Sequence, residues 1–254
     1  MARTILITGA SGGLAQAIIN QLPQDDHLIV TGRSREKLEK LYGKRPNTLC
    51  LSLDITNDNA VTNTIEKIYG EFGQIDILIN NAGFGSFKEF WDYSDEEVKD
   101  MFAVNTFATM SIARQIGHKM SLVKSGHIVN IASMAGLIAT SKASVYGASK
   151  FAVVGFSNAL RLELAEKNVY VTSVNPGPIK TGFFAQADPS GDYLASIGRF
   201  ALTPEKVAKK VVSILGKNKR ELNLPFILAF AHKCYYSLFP KTADYFARKV
   251  FNYK

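Results

Sequence analysis

The segment Thr4-Ile5-Leu6-Ile7-Thr8-Gly9-Ala10-Ser11-Gly12-Gly13-Leu14-Ala15 decides the fold of this chain. Its first part is a short apolar run that is typical of a buried strand, and its second part is a glycine-rich turn that opens a helix. Glycines let the backbone turn tightly and approach a pyrophosphate, and the start of the helix offers free N–H groups. The segment therefore predicts either a phosphate-binding turn or a tight strand-to-helix turn that binds nothing.

Short apolar runs alternate with helical patterns along most of the chain. The runs are apolar throughout, as expected of strands that are covered on both faces. This succession predicts an α/β fold, a single doubly wound Rossmann-type domain with a parallel sheet of six or seven strands and helices on both faces. The predicted strands are Ile5–Thr8, Leu28–Thr31, Leu49–Leu53, Ile77–Asn80, Ile128–Ile131 and Tyr170–Val174. The predicted helices lie near Leu14–Gln21, Ser34–Leu41, Asn59–Phe72, Ser94–Met120 and Ser144–Lys167.

The formal net charge of +8 is unevenly placed along the 254 residues. Residues 1–203 contain 19 Lys or Arg and 19 Asp or Glu, whereas residues 204–254 contain 11 and 3. No nucleic-acid-binding module accompanies this charge, so nucleic acid is not an expected partner. Two lone cysteines and four scattered histidines predict neither a disulfide framework nor a metal site. An apolar strand that begins directly at the N-terminus, without a signal-peptide pattern, predicts a cytoplasmic protein.

The end of the second predicted strand carries arginines where a dinucleotide site commonly has an acid. The run Val30-Thr31-Gly32-Arg33-Ser34-Arg35 contains no Asp or Glu. An acid at this place binds the ribose 2′-hydroxyl of NAD, whereas a guanidinium matches the 2′-phosphate of NADP in shape and charge. The run favours NADP(H) over NAD(H), and the alternative is a solvated start to the next helix.

Tyr146 and Lys150 lie four residues apart in a predicted helix, which places both side chains on one face. An ammonium close to a phenol favours the phenolate and lowers its pKa from about 10. A tyrosine in this setting can exchange a proton near neutral pH.

Several motifs in the same order resemble those of the classical short-chain dehydrogenases/reductases. The likeness runs from about Thr4 to Thr181. The matching elements are Thr8-Gly9-x-x-x-Gly13-x-Ala15, Asp54, Asn80-Asn81-Ala82-Gly83, Asn105, Ser133 thirteen residues before Tyr146, and Pro176-Gly177-Pro178-Ile179-Lys180-Thr181. Alanine stands at the last glycine position of the first motif.

The resemblance implies an oxidoreductase that transfers hydride between a nicotinamide and a carbonyl or alcohol group. It implies a catalytic tetrad of Asn105, Ser133, Tyr146 and Lys150. Tyr146 would exchange the proton, Ser133 would hold the substrate oxygen, Lys150 would bind the ribose and lower the tyrosine pKa, and Asn105 would hold a relay water. The implied cofactor-binding residues are Gly9, Ser11, Gly13, Leu14, Arg33, Asp54, Ile55, Asn81, Ala82, Gly83, Tyr146, Lys150, Pro176, Gly177, Ile179 and Thr181.

The region Gly182–Phe200 falls where the family has its substrate loop. Its aromatic and apolar residues, Phe183, Phe184, Tyr193 and Leu194, indicate either an apolar substrate or packing of a lid. Residues 85–87, Gly-Ser-Phe, are a second candidate border of the substrate pocket.

The chain departs from the common family pattern after residues 1–202, which are assigned to the cofactor-binding and catalytic core. Residues 203–254 are predicted to be a C-terminal helical extension of the same domain, with a helix over Thr203–Gly216 and a short strand near 221–225. Residues 226–254 are aromatic and basic, as in helices that lie on a membrane surface. The alternatives are a cover for the pocket or an interface between subunits.

The resulting prediction is an NADP(H)-dependent carbonyl reductase or alcohol dehydrogenase, acting on an apolar small molecule with Tyr146 as general acid/base. A reductase of 3-oxoacyl chains is a narrower possibility. A homodimer or homotetramer is expected. The alternative from another class is a non-catalytic NADP-binding sensor or scaffold on the same fold.

Overall fold

The computed structural model describes residues 2–188, 191, 198, 201–226, 238, 239, 241, 242 and 245. Its centre is a seven-stranded parallel sheet in the order β3-β2-β1-β4-β5-β6-β7, which confirms the predicted fold class. The strands are β1 (Thr4–Ile7), β2 (His27–Gly32), β3 (Thr48–Ser52), β4 (Ile77–Asn80), β5 (Gly126–Ile131), β6 (Val169–Pro176) and β7 (Glu221–Leu224).

Helices cover both faces of this sheet. In chain order they are α1 (Gly13–Ile19), α2 (Arg35–Tyr42), α3 (Asp58–Phe72), α4 (Asp95–Phe102), α5 (Ala108–Val123), α6 (Ser144–Leu164), α7 (Phe183–Ala187) and α8 (Pro204–Ile214). Side chains from α1, α2 and α8 pack on one face, and side chains from α3, α5 and α6 pack on the other. Because the strand order reverses between β1 and β4, the loops after these two strands meet at the crevice where such sheets bind ligands.

The predicted helix Ser94–Met120 is interrupted. Residues Ala103–Phe107 form a π-helical segment between α4 and α5, and Asn105 lies inside it, fully buried. Such segments are rare in proteins as a whole, but those that occur are often found at functional sites. They interrupt the regular hydrogen bonds of the helix. A pattern of apolar residues in the sequence does not distinguish this segment from an ordinary helical turn, so the prediction gave one continuous helix.

Part of the predicted C-terminal extension belongs to the layers of the core. Helix α8 packs against α1, and β7 pairs with β6 as the seventh strand. The buried His127 joins this region to the sheet, because its Nδ1 accepts from the amide of Gly216 at 3.0 Å. Most of residues 226–254 lie outside the described residues, and so do Tyr193 and Leu194. Within the parts of the chain that the structure describes, no helix has the length and apolar character to cross a membrane.

Candidate active site

One cavity of about 1030 Å³ runs along the carboxyl edge of the sheet and collects the predicted residues. All sixteen of the predicted cofactor-binding residues line it, and so does Ser133. The only member of the predicted tetrad that does not line the cavity is Asn105, which is completely buried. Positions that are up to 172 residues apart in the sequence thus share one site because parallel strands end at the same edge.

The glycine turn and the loop after β4 are packed backbone against backbone. Gly9 has φ +63°, a left-handed conformation that favours glycine. A Cβ atom placed on it would lie 2.7 Å from the Cα of Ala82, so a side chain has no room here. The hydroxyl of Thr8 accepts from the amides of Asn81 and Ala82 at 3.0 and 3.1 Å. The strand-to-helix turn therefore has a fixed shape.

A basic pair stands at the end of the cavity that follows β2. Arg33 and Lys37 both line the cavity, and Ser34 caps α2 by accepting from the amide of Lys37. Arg35 forms an exposed ion pair with Glu39 at 3.3 Å and does not line the cavity. Of the two arginines that the sequence offered, Arg33 is thus the one that faces the site.

Asp54 lies next along the cavity wall, after β3. Its carboxylate accepts from the amide and hydroxyl of Thr56 at 2.9 and 2.7 Å, and these bonds hold its pKa below the ordinary value. Ile55 lines the wall beside it. An ionised carboxylate in a fixed orientation suits a donor group such as an adenine amine.

The opposite end of the cavity holds the proposed chemical centre. Ser133 follows β5 and Tyr146 lies in the first turn of α6, and the two side chains are neighbours in the cavity wall. The Oγ of Ser133 also accepts from the amide of Ala135 at 3.1 Å, which fixes its orientation. Tyr146 is only 8% exposed, so a group that reaches its hydroxyl is shielded from water.

Lys150 is buried one helical turn after Tyr146. Its ammonium donates to the carbonyl of Ile131 at 3.0 Å and lies 6.0 Å from the centre of the Tyr146 ring. Burial lowers the pKa of Lys150 to about 8, so that the side chain is still charged near neutral pH.

The pKa of Tyr146 differs from the sequence-based expectation. We expected Lys150 to lower it, but burial raises the pKa of Tyr146 to about 12, and the neighbouring Ser133 hydroxyl opposes the rise. A phenol that has lost its water favours the neutral form. Tyr146 is therefore protonated at neutral pH. A general acid must be in this state before negative charge develops on the substrate oxygen.

Asn105 connects three parts of the site from behind the cavity wall. Its side-chain amide donates to the carbonyl of Phe84 at 2.9 Å and to the hydroxyl of Ser149 at 3.0 Å, and it accepts from the amide of Phe84 at 3.0 Å. A Cβ on Gly83 would lie 2.9 Å from the Oδ1 of Asn105 and 3.3 Å from the Nζ of Lys150. Asn105 thus fixes the loop after β4 against α6, and its role in a proton relay stays a prediction.

Aromatic rings form the wall beside Tyr146. The ring of Phe87 lies 5.4 Å from that of Tyr146 and 5.8 Å from that of Phe184, and the ring of Phe183 lies 5.9 Å from that of Tyr146. The loop that carries Phe87 is held to α7 by a bond from the Phe87 amide to the carbonyl of Ala187 at 2.8 Å. We call Phe87, Phe183 and Phe184 the aromatic wall.

The end of β6 and the segment after it close the cavity between its two ends. Pro176, Gly177, Ile179 and Thr181 line this stretch, and the amide of Gly177 donates to the carbonyl of Leu224 at 2.6 Å. A Cβ on Gly13 would lie 2.8 Å from the Cγ2 of Thr181, so the glycine turn and this segment meet closely. The cavity has the basic end and the close backbone approach that a phosphorylated dinucleotide requires, and the residues present fit a nicotinamide cofactor.

Comparison with known proteins agrees with this geometry. Residues 3–191 match the family model described as short chain dehydrogenase. The chain is 37% identical over 179 residues to a 3-ketodihydrosphingosine reductase of Bacteroides thetaiotaomicron, covering 70% of this chain and 65% of that one. It is 33% identical over 218 residues to the 3-oxoacyl-[acyl-carrier-protein] reductase FabG of Buchnera aphidicola, covering 84% and 89%. The solved structure of ElxO with NADP bound has a TM-score of 0.78 and 29% identity, covering 88% and 97%.

The fold and site define a nicotinamide-dependent oxidoreductase that acts on CH–OH or C=O groups of a small molecule. The chain belongs to the short-chain dehydrogenase/reductase family.

Some lining residues were not predicted from the sequence. Lys37 lies in the first turn of α2, four residues after Arg33, and this second basic residue so soon after the strand is a signal that could have identified it. Loop positions such as Ile138, Thr140 and Gln186 carry no such signal, since their place in the wall depends on how the loops cross.

Proposed function

We propose that this protein is an NADP(H)-dependent reductase of an apolar ketone or aldehyde, with Tyr146 as general acid in reduction and general base in the reverse reaction. The observation that carries the proposal is a single cavity with Arg33 and Lys37 at one end and the Ser133–Tyr146–Lys150 group at the other. This arrangement gives a binding end and a reacting end, which a nucleotide sensor does not need.

The chemistry of the reacting end follows from its own side chains. When bound, the nicotinamide cofactor supplies or accepts the hydride. Ser133 and Tyr146 are neighbours and both line the cavity, so both hydroxyls can donate to one carbonyl oxygen of a bound substrate. Tyr146 donates its proton as negative charge grows on that oxygen. The charged Lys150 nearby stabilises the phenolate that remains, which offsets the high pKa of the buried phenol.

The preference for NADP(H) rests on charge at the other end of the cavity. Arg33 and Lys37 line the wall there, and the β2 end has no carboxylate to bind a ribose 2′-hydroxyl. A phosphate gains charge-assisted bonds from such a pair, whereas a hydroxyl gains much less. The NADP bound to ElxO supports the same choice.

An apolar substrate is supported by the aromatic wall beside Tyr146. Three phenylalanine rings bound the space in which the carbonyl must lie. Two relatives are named as reductases of 3-keto compounds, which supports a ketone on an apolar chain. The 3-oxoacyl group is the narrower candidate within this class.

The experiment that tests the function is a substrate panel. The purified protein is mixed with NADPH or NADH and with linear apolar ketones and aldehydes, and the nicotinamide absorbance is followed. We expect turnover with NADPH that exceeds turnover with NADH. Binding of NADPH without turnover across the whole panel would favour the sensor or scaffold instead.

Three further expectations stay predictions. A homodimer or homotetramer is supported by large apolar side chains that are exposed on α5 and α6, among them Leu122 and Leu162. A cytoplasmic location is the second. The third is the choice for residues 226–254 between pocket cover, subunit interface and membrane contact, which flotation with anionic liposomes at low salt would test.

A further inference from the structure

Four of the five carbonyl groups in the loop between β1 and α1 have side-chain donors, and the fifth, that of Gly12, accepts from the backbone amide of Gln16. Four consecutive carbonyls, those of residues 8–11, accept hydrogen bonds from only three side chains. The Nδ2 of Asn81 donates to the first two at 3.0 and 3.1 Å, the hydroxyl of Tyr42 to the third at 2.6 Å, and the Nε2 of Gln16 to the fourth at 2.9 Å. A loop that binds an anion must keep unpaired carbonyl oxygens from facing it, and these bonds give each of the four oxygens a donor within the protein.

Of the three donors, Asn81 and Gln16 line the cavity and Tyr42 does not. Tyr42 is the last residue of α2 and is 4% exposed. Burial raises its pKa well above the ordinary value, so the hydroxyl remains a donor at every working pH. Its acceptor is the carbonyl of Ala10, and the amide of Ala10 donates to the carbonyl of Thr31 at 2.9 Å.

The bond from Tyr42 also orients the next amide. The carbonyl of Ala10 and the N–H of Ser11 belong to one planar trans peptide, so they point in opposite directions. When Tyr42 draws the carbonyl toward α2, the N–H of Ser11 turns the other way. Ser11 lines the cavity, and its N–H has no acceptor among the hydrogen bonds of the described residues.

We propose that Tyr42 is a positioning residue for the cofactor phosphates, because its hydroxyl fixes the Ala10–Ser11 peptide with the N–H of Ser11 facing the cavity. The proposal rests on the proposed NADP(H)-binding function. Without the hydroxyl, the Ala10 carbonyl is buried and unpaired, and rotation of the peptide toward the cavity would set an oxygen against the phosphates.

The test is the binding of two ligands to Tyr42→Phe, which keeps the ring and loses only the hydroxyl. The dissociation constant is measured by fluorescence for NADPH and for adenosine 2′-monophosphate, which has the 2′-phosphate and no pyrophosphate. We expect the constant for NADPH to rise about 5- to 10-fold, as for loss of one hydrogen-bonded arrangement. The constant for adenosine 2′-monophosphate should change less than about 2-fold, since Arg33 and Lys37 are untouched.

Tyr69→Phe is the matched control, because it removes the hydroxyl of another partly buried tyrosine, one that packs on the opposite face of the sheet and does not line the cavity. It should lower the melting temperature as Tyr42→Phe does and leave NADPH binding unchanged. Equal weakening of both ligands by Tyr42→Phe, or no weakening of either, would overturn the proposal. A wild-type protein that does not bind NADPH would overturn the proposed function as well, so the two failures are distinguishable.

Discussion

The two ends of the cavity are built by different means. At the nucleotide end, backbone packs on backbone. Gly9 lies so close to Ala82 that a Cβ atom on Gly9 would be 2.7 Å from the Cα of Ala82. At the substrate end, side chain packs on side chain, and the aromatic wall sits partly on the five-residue helix α7. Tyr146 lies at the substrate end, in contact with the aromatic wall.

This difference explains why one end is identified more easily than the other. Where two backbone segments lie in close contact, only a few residue types fit. Glycines and asparagines therefore occur at defined positions in the sequence. Rings that pack on rings accept many apolar residues, since volume and hydrophobicity matter more than identity. The cofactor class can therefore be recognised from motifs, whereas the substrate can be recognised only as apolar.

The largest expected effect is at Tyr146, at the substrate end. Tyr146→Phe keeps the ring against Phe87 and removes the proton donor, so kcat should fall about 10³-fold. The dissociation constant for NADPH should change less than about 2-fold, because the phenol is only one of many contacts of the cavity. Steady-state turnover and fluorescence titration measure the two quantities.

Tyr170→Phe is the control for this change, since it removes a hydroxyl on β6 away from the cavity. It should retain full turnover. Retention of activity by Tyr146→Phe would contradict the assignment of the general acid.

A pair of glycine variants compares the two ends directly. In Gly9→Ala the new Cβ would lie 2.7 Å from the backbone of Ala82, and φ is +63°. The clash can be relieved only by moving the backbone, which costs stability. The NADPH dissociation constant should rise about 100-fold, and the free energy of unfolding should fall by about 2 kcal/mol or more. In Gly85→Ala the new Cβ meets ring atoms of Phe183 and Tyr146 at 3.0 and 3.1 Å, which can shift.

We expect Gly85→Ala to bind NADPH normally and to lose about 10-fold in kcat, because a shifted Tyr146 ring is misplaced for catalysis. Gly70→Ala is the control, since a Cβ there meets nothing within 4 Å in α3, and it should raise stability by about 0.5–1 kcal/mol. Equal effects of the variants at Gly9 and Gly85 would remove the contrast between the two ends.

The sequence predicts the sheet and the chemical centre because local patterns suffice for both. Apolar runs gave six of the seven strands, and the short strand near 221–225 proved to be β7. Ser133, Tyr146 and Lys150 stand near one another because strand ends and a helix spacing of four place them there.

What the sequence does not predict depends on contacts between distant segments. The π-helical segment around Asn105 has the same apolar pattern as a regular helix. The high pKa of Tyr146 comes from burial by the loops around it, which no spacing reports. Tyr42 belongs to the same group, since its bond to Ala10 joins two elements that have no shared motif.

A smaller effect is expected from the charge at the nucleotide end. Arg33→Ala removes charge-assisted bonds to a 2′-phosphate, so the dissociation constant for NADPH should rise about 10- to 100-fold while that for NADH stays the same. Arg35→Ala is the matched control because Arg35 is paired with Glu39 away from the cavity. Equal loss of NADPH and NADH binding in Arg33→Ala would contradict the proposed selectivity.

The smallest expected effect is at the substrate end, in Phe183→Ala. Removing this ring frees space beside Tyr146, so kcat/KM for branched or cyclic ketones should rise about 5- to 10-fold relative to linear ones. NADPH binding should be unchanged, because the ring contacts Phe87 and Tyr146 and not the glycine turn. Phe90→Ala is the control, since Phe90 is 68% exposed and does not line the cavity. A change in NADPH affinity without a change in ketone preference would place Phe183 at the nucleotide end and break the division between the two ends.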